Sequence, residues 1–126
     1  MRLRVLVVDD DPTVRGVLTT LLGFEGVDVT TAEDGPSALS IAERLHPDVV
    51  LLDVNLPGKD GFAVCRELKL RDGGERVVMI TGRAAQEDEL VGLAAGADAF
   101  LRKPFSPLEL IETVRTSVNG KGRLLG

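Results

Sequence analysis

Five residues of this chain could do chemistry together: Asp9, Asp10, Asp53, Thr81 and Lys103. Each stands at the end of an apolar run or directly after one. Asp9 and Asp10 follow Leu3–Val8, and Asp53 closes the run DVVLLD. Thr81 follows RVVMI, and Lys103 comes after Ala97–Leu101. Three carboxylates brought together would repel one another, so a cluster of them raises its own pKa values or demands a cation. An all-oxygen donor set of few ligands suits Mg²⁺, which keeps several waters and binds phosphate. Three Asp, one Mg²⁺ and one Lys balance formally to zero. In that setting a carboxylate could attack phosphorus and carry an aspartyl phosphate. Mg²⁺ and Lys103 would neutralise charge on the transferring oxygens. The Thr81 hydroxyl could then hydrogen-bond the phosphoryl group, with Gly82 leaving room for its approach.

Taken singly, each residue has an ordinary alternative. Asp9, Asp10 and Asp11 can form a solvated loop, with Asp11 as a helix cap. Thr81 can be a turn residue and Lys103 a surface lysine. Asp53 is harder to dismiss, because an unpaired carboxylate at the end of an apolar strand is costly.

The elements that must position these residues are legible in the hydrophobic pattern. Leu3–Val8 and Asp48–Asp53 are continuous apolar runs, as expected of strands covered on both faces. Val27–Thr31, Arg76–Ile80 and Ala97–Leu101 supply three more strands. Asp11-Pro12 opens a helix whose apolar face is Val14, Val17, Leu18, Leu21 and Leu22. A second helix follows Asp34-Gly35-Pro36, with Ala38, Leu39, Ala42 and Leu45 inward and His46-Pro47 as its stop. Asn55–Gly61 is turn-rich. Helices are expected over Phe62–Leu70 and Gln86–Ala95. Ser106-Pro107-Leu108-Glu109 is a capping box that opens a last helix, with Leu110, Ile111, Val114 and Val118 inward. Asn119-Gly120 ends that helix in this reading. Five β-α units imply an α/β fold, a parallel sheet with helices on both faces. Right-handed crossovers place every strand's C-terminal end on one edge, where ligands bind. Residues far apart in the chain thus converge on a single site.

Composition agrees with one globular domain. The chain has 126 residues, 44% hydrophobic and 28% charged, with four Phe and no Trp or Tyr. Its core must be built from aliphatic side chains. A net charge of −5 argues against direct nucleic-acid contact by this segment, since phosphate contacts need clustered Lys and Arg. No apolar run approaches the roughly 20 residues of a membrane span. The single Cys65 forms no internal disulfide and reads as a small buried hydrophobe on a helix, consistent with a cytoplasmic location.

Read together, these segments resemble the receiver domains of bacterial response regulators over roughly residues 2–119. The resemblance is carried by VLVVDDDP (5–12), DVVLLDVNLPGKDG (48–61), VVMITGR (77–83), GADAFLRKPF (96–105) and the SPLEL start of the last helix. It implies a flavodoxin-like, doubly wound sheet of five strands in the order 2-1-3-4-5 with five helices. Residues 1–120 would form the receiver domain, and 121–126 a tail or the start of a linker. Asp53 would take a phosphoryl group from a sensor histidine kinase or a phosphotransfer protein. Asp10, Asp53 and the backbone carbonyl of Asn55 would bind Mg²⁺ directly, and Asp9 through water. Lys103 would pair with the phosphoryl oxygens and Thr81 would hydrogen-bond them. The Lys103–Pro104 bond would be cis. Arg83 and Asn55 would tune the lifetime of the aspartyl phosphate.

The same resemblance implies a two-state switch. Thr81 moves toward the phosphoryl group, and Phe100, at the position of the family's switch aromatic, moves into the space left behind. The fourth helix, fifth strand and fifth helix would offer a face for a homodimer or an effector. GADAF resembles the GADDY of regulators that carry a winged-helix DNA-binding domain, which points to an effector domain outside this chain. Arg115 would be a dimer arginine, while Ala99 replaces the second Asp of that pattern. The competing enzymatic reading is a haloacid-dehalogenase-like, Mg²⁺-dependent phosphatase. That class needs a second acid two residues after its nucleophile, and here the position is Asn55.

Overall fold

The computed structural model describes residues 2–57, 60–71, 74–82 and 85–123. Five strands alternate with five helices: β1 (Arg4–Val8), α1 (Pro12–Gly23), β2 (Asp28–Ala32), α2 (Gly35–Leu45), β3 (Val49–Asp53), α3 (Gly61–Leu70), β4 (Arg76–Thr81), α4 (Ala85–Ala95), β5 (Ala99–Arg102) and α5 (Pro107–Arg123). The sheet is parallel throughout, in the order β2-β1-β3-β4-β5. Strand order reverses at β1, so a crevice opens at the C-terminal ends of β1 and β3.

Alternation of side chains along the central strands divides the core in two. Leu6, Val8, Val50, Leu52, Val77 and Met79 pack with Ala38 and Ala42 of α2, Val64, Cys65 and Leu68 of α3, and Ala95 of α4. On the other face Val5, Val7, Val49, Leu51, Val78 and Ile80 meet Leu18 and Leu22 of α1 and Leu110 and Val114 of α5. All five β3 residues are buried. Burial of a Leu or Val side chain contributes roughly 1.5–3 kcal/mol, so this strand is the rigid post on which Asp53 is mounted. Cys65 lies in the first cluster, and burial pushes its thiol up to about 11.

Caps fix where the helices begin. Asp11 accepts from the Thr13 amide at 2.9 Å, Asp34 from Ser37 at 2.8 Å and Asp60 from Ala63 at 2.8 Å. Ser106 and Glu109 exchange side chain–backbone bonds reciprocally at 3.1 and 3.2 Å, the capping box read from the sequence. His46 ends α2 in the left-handed conformation, its amide bonded to the Ala42 carbonyl.

Three local expectations are corrected. Val17 was expected inward but is 52% exposed, because the buried stripe of α1 narrows to Leu18 and Leu22. β5 begins at Ala99 rather than Ala97, because the Asp98 carboxylate folds back onto the Val77 amide at 2.8 Å. α5 continues through Asn119-Gly120 to Arg123. A helical Gly costs about 1 kcal/mol relative to Ala but forbids nothing, and no proline follows to stop the helix. Residues 124–126, the rest of the expected tail, lie outside the described residues.

Candidate phosphoacceptor site

β1 ends at Val8, and the Asp9 amide extends the sheet by bonding the Ala32 carbonyl at 3.1 Å. The Asp9 side chain is buried, and its Oδ1 accepts from the Asp11 amide at 2.9 Å. The Arg15 guanidinium donates to the Asp9 carbonyl at 2.7 Å, bracing the turn from α1. Asp10, next in the chain, is exposed. Asp53 closes β3 opposite Ile80, with 6% of its surface exposed. One carboxylate oxygen from each of Asp9, Asp10 and Asp53 lies within 4.8 Å of the others.

Lys103 and Thr81 reach the same edge from β5 and β4. The Lys103 amide donates to the Thr81 carbonyl at 2.8 Å, locking the two strand ends together. The Lys103 Nζ stands 3.7 Å from Asp53 Oδ2, an ion pair rather than a hydrogen bond. The other Asp53 oxygen, Oδ1, accepts from the Asn55 amide at 3.0 Å. The Lys103–Pro104 peptide is cis. Thr81 is fully buried one residue beyond the β4 partner of Asp53, and its Oγ1 has no hydrogen-bond partner. Phe100 is set apart from the carboxylates, paired with Met79 and half-buried. Arg83 lies outside the described residues.

Burial pushes the Asp53 carboxyl above its ordinary range. The Asn55 amide opposes this, the neighbouring Asp9 adds to it, and Lys103 pulls it back. Among the described residues, Lys103 thus pairs with one of three clustered carboxylates. A cation held by oxygen would relieve the repulsion and satisfy Asp9 Oδ2, which is buried without a partner. The residues therefore fit Mg²⁺ in donor type, number and charge.

Two contributors escaped the sequence reading. Gly61 passes so close to the end of β3 that a side chain there would collide with the Asp53 carbonyl and stand 2.9 Å from Val54 Cα. Its own amide bonds the Val54 carbonyl at 2.9 Å. The only signal was a glycine in a turn-rich loop, which does not say what it approaches. Arg15 was unmarked because its partner is a backbone carbonyl. Arg115 was read as a dimer contact; within this chain its guanidinium pairs with Glu25 at 2.6 Å.

The chain matches the response regulator receiver domain family over residues 5–115. It is 47% identical over 115 residues to the DNA-binding response regulator MtrA of Mycolicibacterium smegmatis, covering 91% of this chain and 50% of that protein. This chain therefore spans about half the length of the curated relatives it matches. A CheY-like response regulator receiver domain protein from Methanospirillum hungatei superposes with a TM-score of 0.92 at 29% identity, covering 98% of each chain. The chemotaxis response regulator CheY4 of Vibrio cholerae gives 0.87 at 32% identity, covering 93% of this chain and 99% of that one. The chain belongs to the response regulator receiver domain family of two-component signalling. It is a signalling domain rather than an enzyme, which sets aside the phosphatase reading. No helix among the described residues is long and apolar enough to cross a membrane.

Proposed function

We propose that this domain is a phosphorylation-activated switch in which Asp53 takes a phosphoryl group from the phosphohistidine of a sensor kinase or phosphotransfer protein. The observation that carries this reading is the meeting of the Asp9, Asp10 and Asp53 oxygens within 4.8 Å at the strand-order reversal, beside Lys103. In the transfer, a new bond forms between an Asp53 oxygen and phosphorus as the phosphorus–nitrogen bond of the donor breaks. Asp10, Asp53 and the Asn55 carbonyl would hold Mg²⁺ directly, with Asp9 acting through water. When bound, the ion supplies positive charge for the phosphoryl oxygens. Lys103 pairs with those oxygens, and the partnerless Thr81 hydroxyl donates to them. Asn55 and Arg83 set how long the aspartyl phosphate survives.

Thr81 and Phe100 report the state of Asp53 to the α4–β5–α5 face, which serves a homodimer or an effector. The relatives named as DNA-binding response regulators support a DNA-binding effector domain outside this chain. The test is labelling with acetyl phosphate and Mg²⁺, followed by intact mass. One phosphoryl group should be added to the native chain and none to Asp53→Asn. Undiminished labelling of that variant would place the acceptor elsewhere.

A further inference from the structure

β4 and β5 put Thr81 and Phe100 on one face of the sheet. Met79 pairs with Phe100, and Thr81 with Arg102. Side chains two apart on a strand share a face, so Thr81 and Met79 project to one side, and Phe100 joins Met79 in the cluster containing α4. On that side the Phe100 ring lies directly over Gly92 of α4. A methyl group at position 92 would stand 2.5 Å from Phe100 Cε1, 2.8 Å from Cζ and 3.5 Å from Met79 Sδ. Carbon atoms not bonded to one another settle near 3.5–4.0 Å. The ring therefore fills the volume that a side chain at position 92 would take. Gly in mid-helix costs about 1 kcal/mol relative to Ala, a cost that α4 carries where the ring rests. The ring also borders an open groove of about 330 Å³ lined by Glu89, Arg102, Glu109 and Thr113, among others.

We infer that Gly92 is a positioning residue of the switch: its missing side chain makes the seat of the Phe100 ring, which leaves that seat for the space beside Thr81 when Asp53 is phosphorylated. This rests on the function proposed above. A ring with two resting places is a two-state element, and a ligand favouring one place gains apparent affinity when the other is closed. Gly92→Ala closes the seat. It should therefore strengthen binding of a phosphoryl mimic at Asp53, although position 92 lies on α4, remote from the carboxylates.

Beryllofluoride with Mg²⁺ is the probe, on the whole chain. In the native chain, the nuclear Overhauser contact between the Gly92 α-protons and the Phe100 ring should be strong without the probe and fall at least fivefold with it. Gly92→Ala should lower the half-saturating beryllofluoride concentration about 3- to 10-fold. In a Phe100→Leu background, which removes the colliding ring edge, the same substitution should change it less than twofold. A contact retained at full intensity with the probe bound would overturn the inference. So would unchanged or weaker binding by Gly92→Ala, since weaker binding would put the displaced ring in the outer groove. If Gly92→Ala does not fold, the contact in the native chain decides alone. Native chain that fails to bind beryllofluoride, or Asp53→Asn that still binds it, would instead overturn the proposed function.

Discussion

Lys103 and Asp53 face each other at 3.7 Å because two backbone contacts hold their strand ends in place. The Lys103 amide is tied to the Thr81 carbonyl, and the Asn55 amide turns Asp53 Oδ1 inward, leaving Oδ2 toward the ammonium. The gap exceeds a hydrogen bond, and the lysine side chain is 40% exposed, so the pair itself adds little stability. Its proposed value lies in chemistry. Lys103→Ala should leave Mg²⁺ affinity nearly unchanged but slow labelling by acetyl phosphate on the order of 10²-fold, as expected for loss of a charged group aimed at developing charge. A Mg²⁺ titration and a labelling time course check both parts.

The buried Asp53 carboxyl makes stability depend on pH. Its pKa is raised in the fold, so the native state holds this proton more tightly than the unfolded chain does. Stability from this group is therefore full below the ordinary Asp value of about 3.9 and is lost as pH rises through the raised value. Asp53→Asn, measured without divalent cation, should melt a few degrees higher than the native chain at pH 7. The difference should close as pH falls below about 4. Thermal melts across that range would refute the assignment if the gap were independent of pH.

Mg²⁺ should reverse much of that destabilisation. A cation that binds only the folded acidic pocket stabilises it by RT ln(1 + [L]/Kd), about 1.4 kcal/mol at ten times Kd. Millimolar Mg²⁺ should raise the native melting temperature by several degrees and that of Asp10→Asn by much less. Equal shifts in the two proteins would place the ion elsewhere.

Gly61 tests how rigidly Asp53 is held. Gly61→Ala drives a methyl group into the backbone of Asp53 and Val54, which cannot yield as a flexible side chain would. A cost of roughly 2 kcal/mol is expected, together with a loss of labelling, because the end of β3 itself must move. Urea denaturation and labelling of the same sample give both numbers.

Asp98 is the contrasting structural control. It accepts from the Val77 amide at 2.8 Å, Lys69 at 2.9 Å and Arg76 at 3.3 Å, all at the N-terminal edge of the sheet. Asp98→Ala should cost about 2–3 kcal/mol in urea denaturation. Labelling of the fraction that remains folded should be unchanged, because the site lies at the opposite edge.

The sequence by itself determined the five β-α units, the caps at Asp11 and Ser106, and the convergence of Asp9, Asp10, Asp53, Thr81 and Lys103. These follow from local rules: hydrophobic period, helix-start chemistry and the handedness of parallel crossovers. Tertiary structure decided what depends on distances between segments far apart in the chain. The exposure of Val17 depends on how α1 sits on the sheet. The start of β5 depends on Asp98 reaching the Val77 amide. The demands on Gly61 and Gly92 come from the end of β3 and from the Phe100 ring, and a glycine's own neighbours in sequence carry no trace of either. That the positive charge of Lys103 would stand beside Asp53 in a cluster of three carboxylates was foreseeable. That Asp9 Oδ2 and Thr81 Oγ1 would be buried without partners was not, because burial is set by the whole fold.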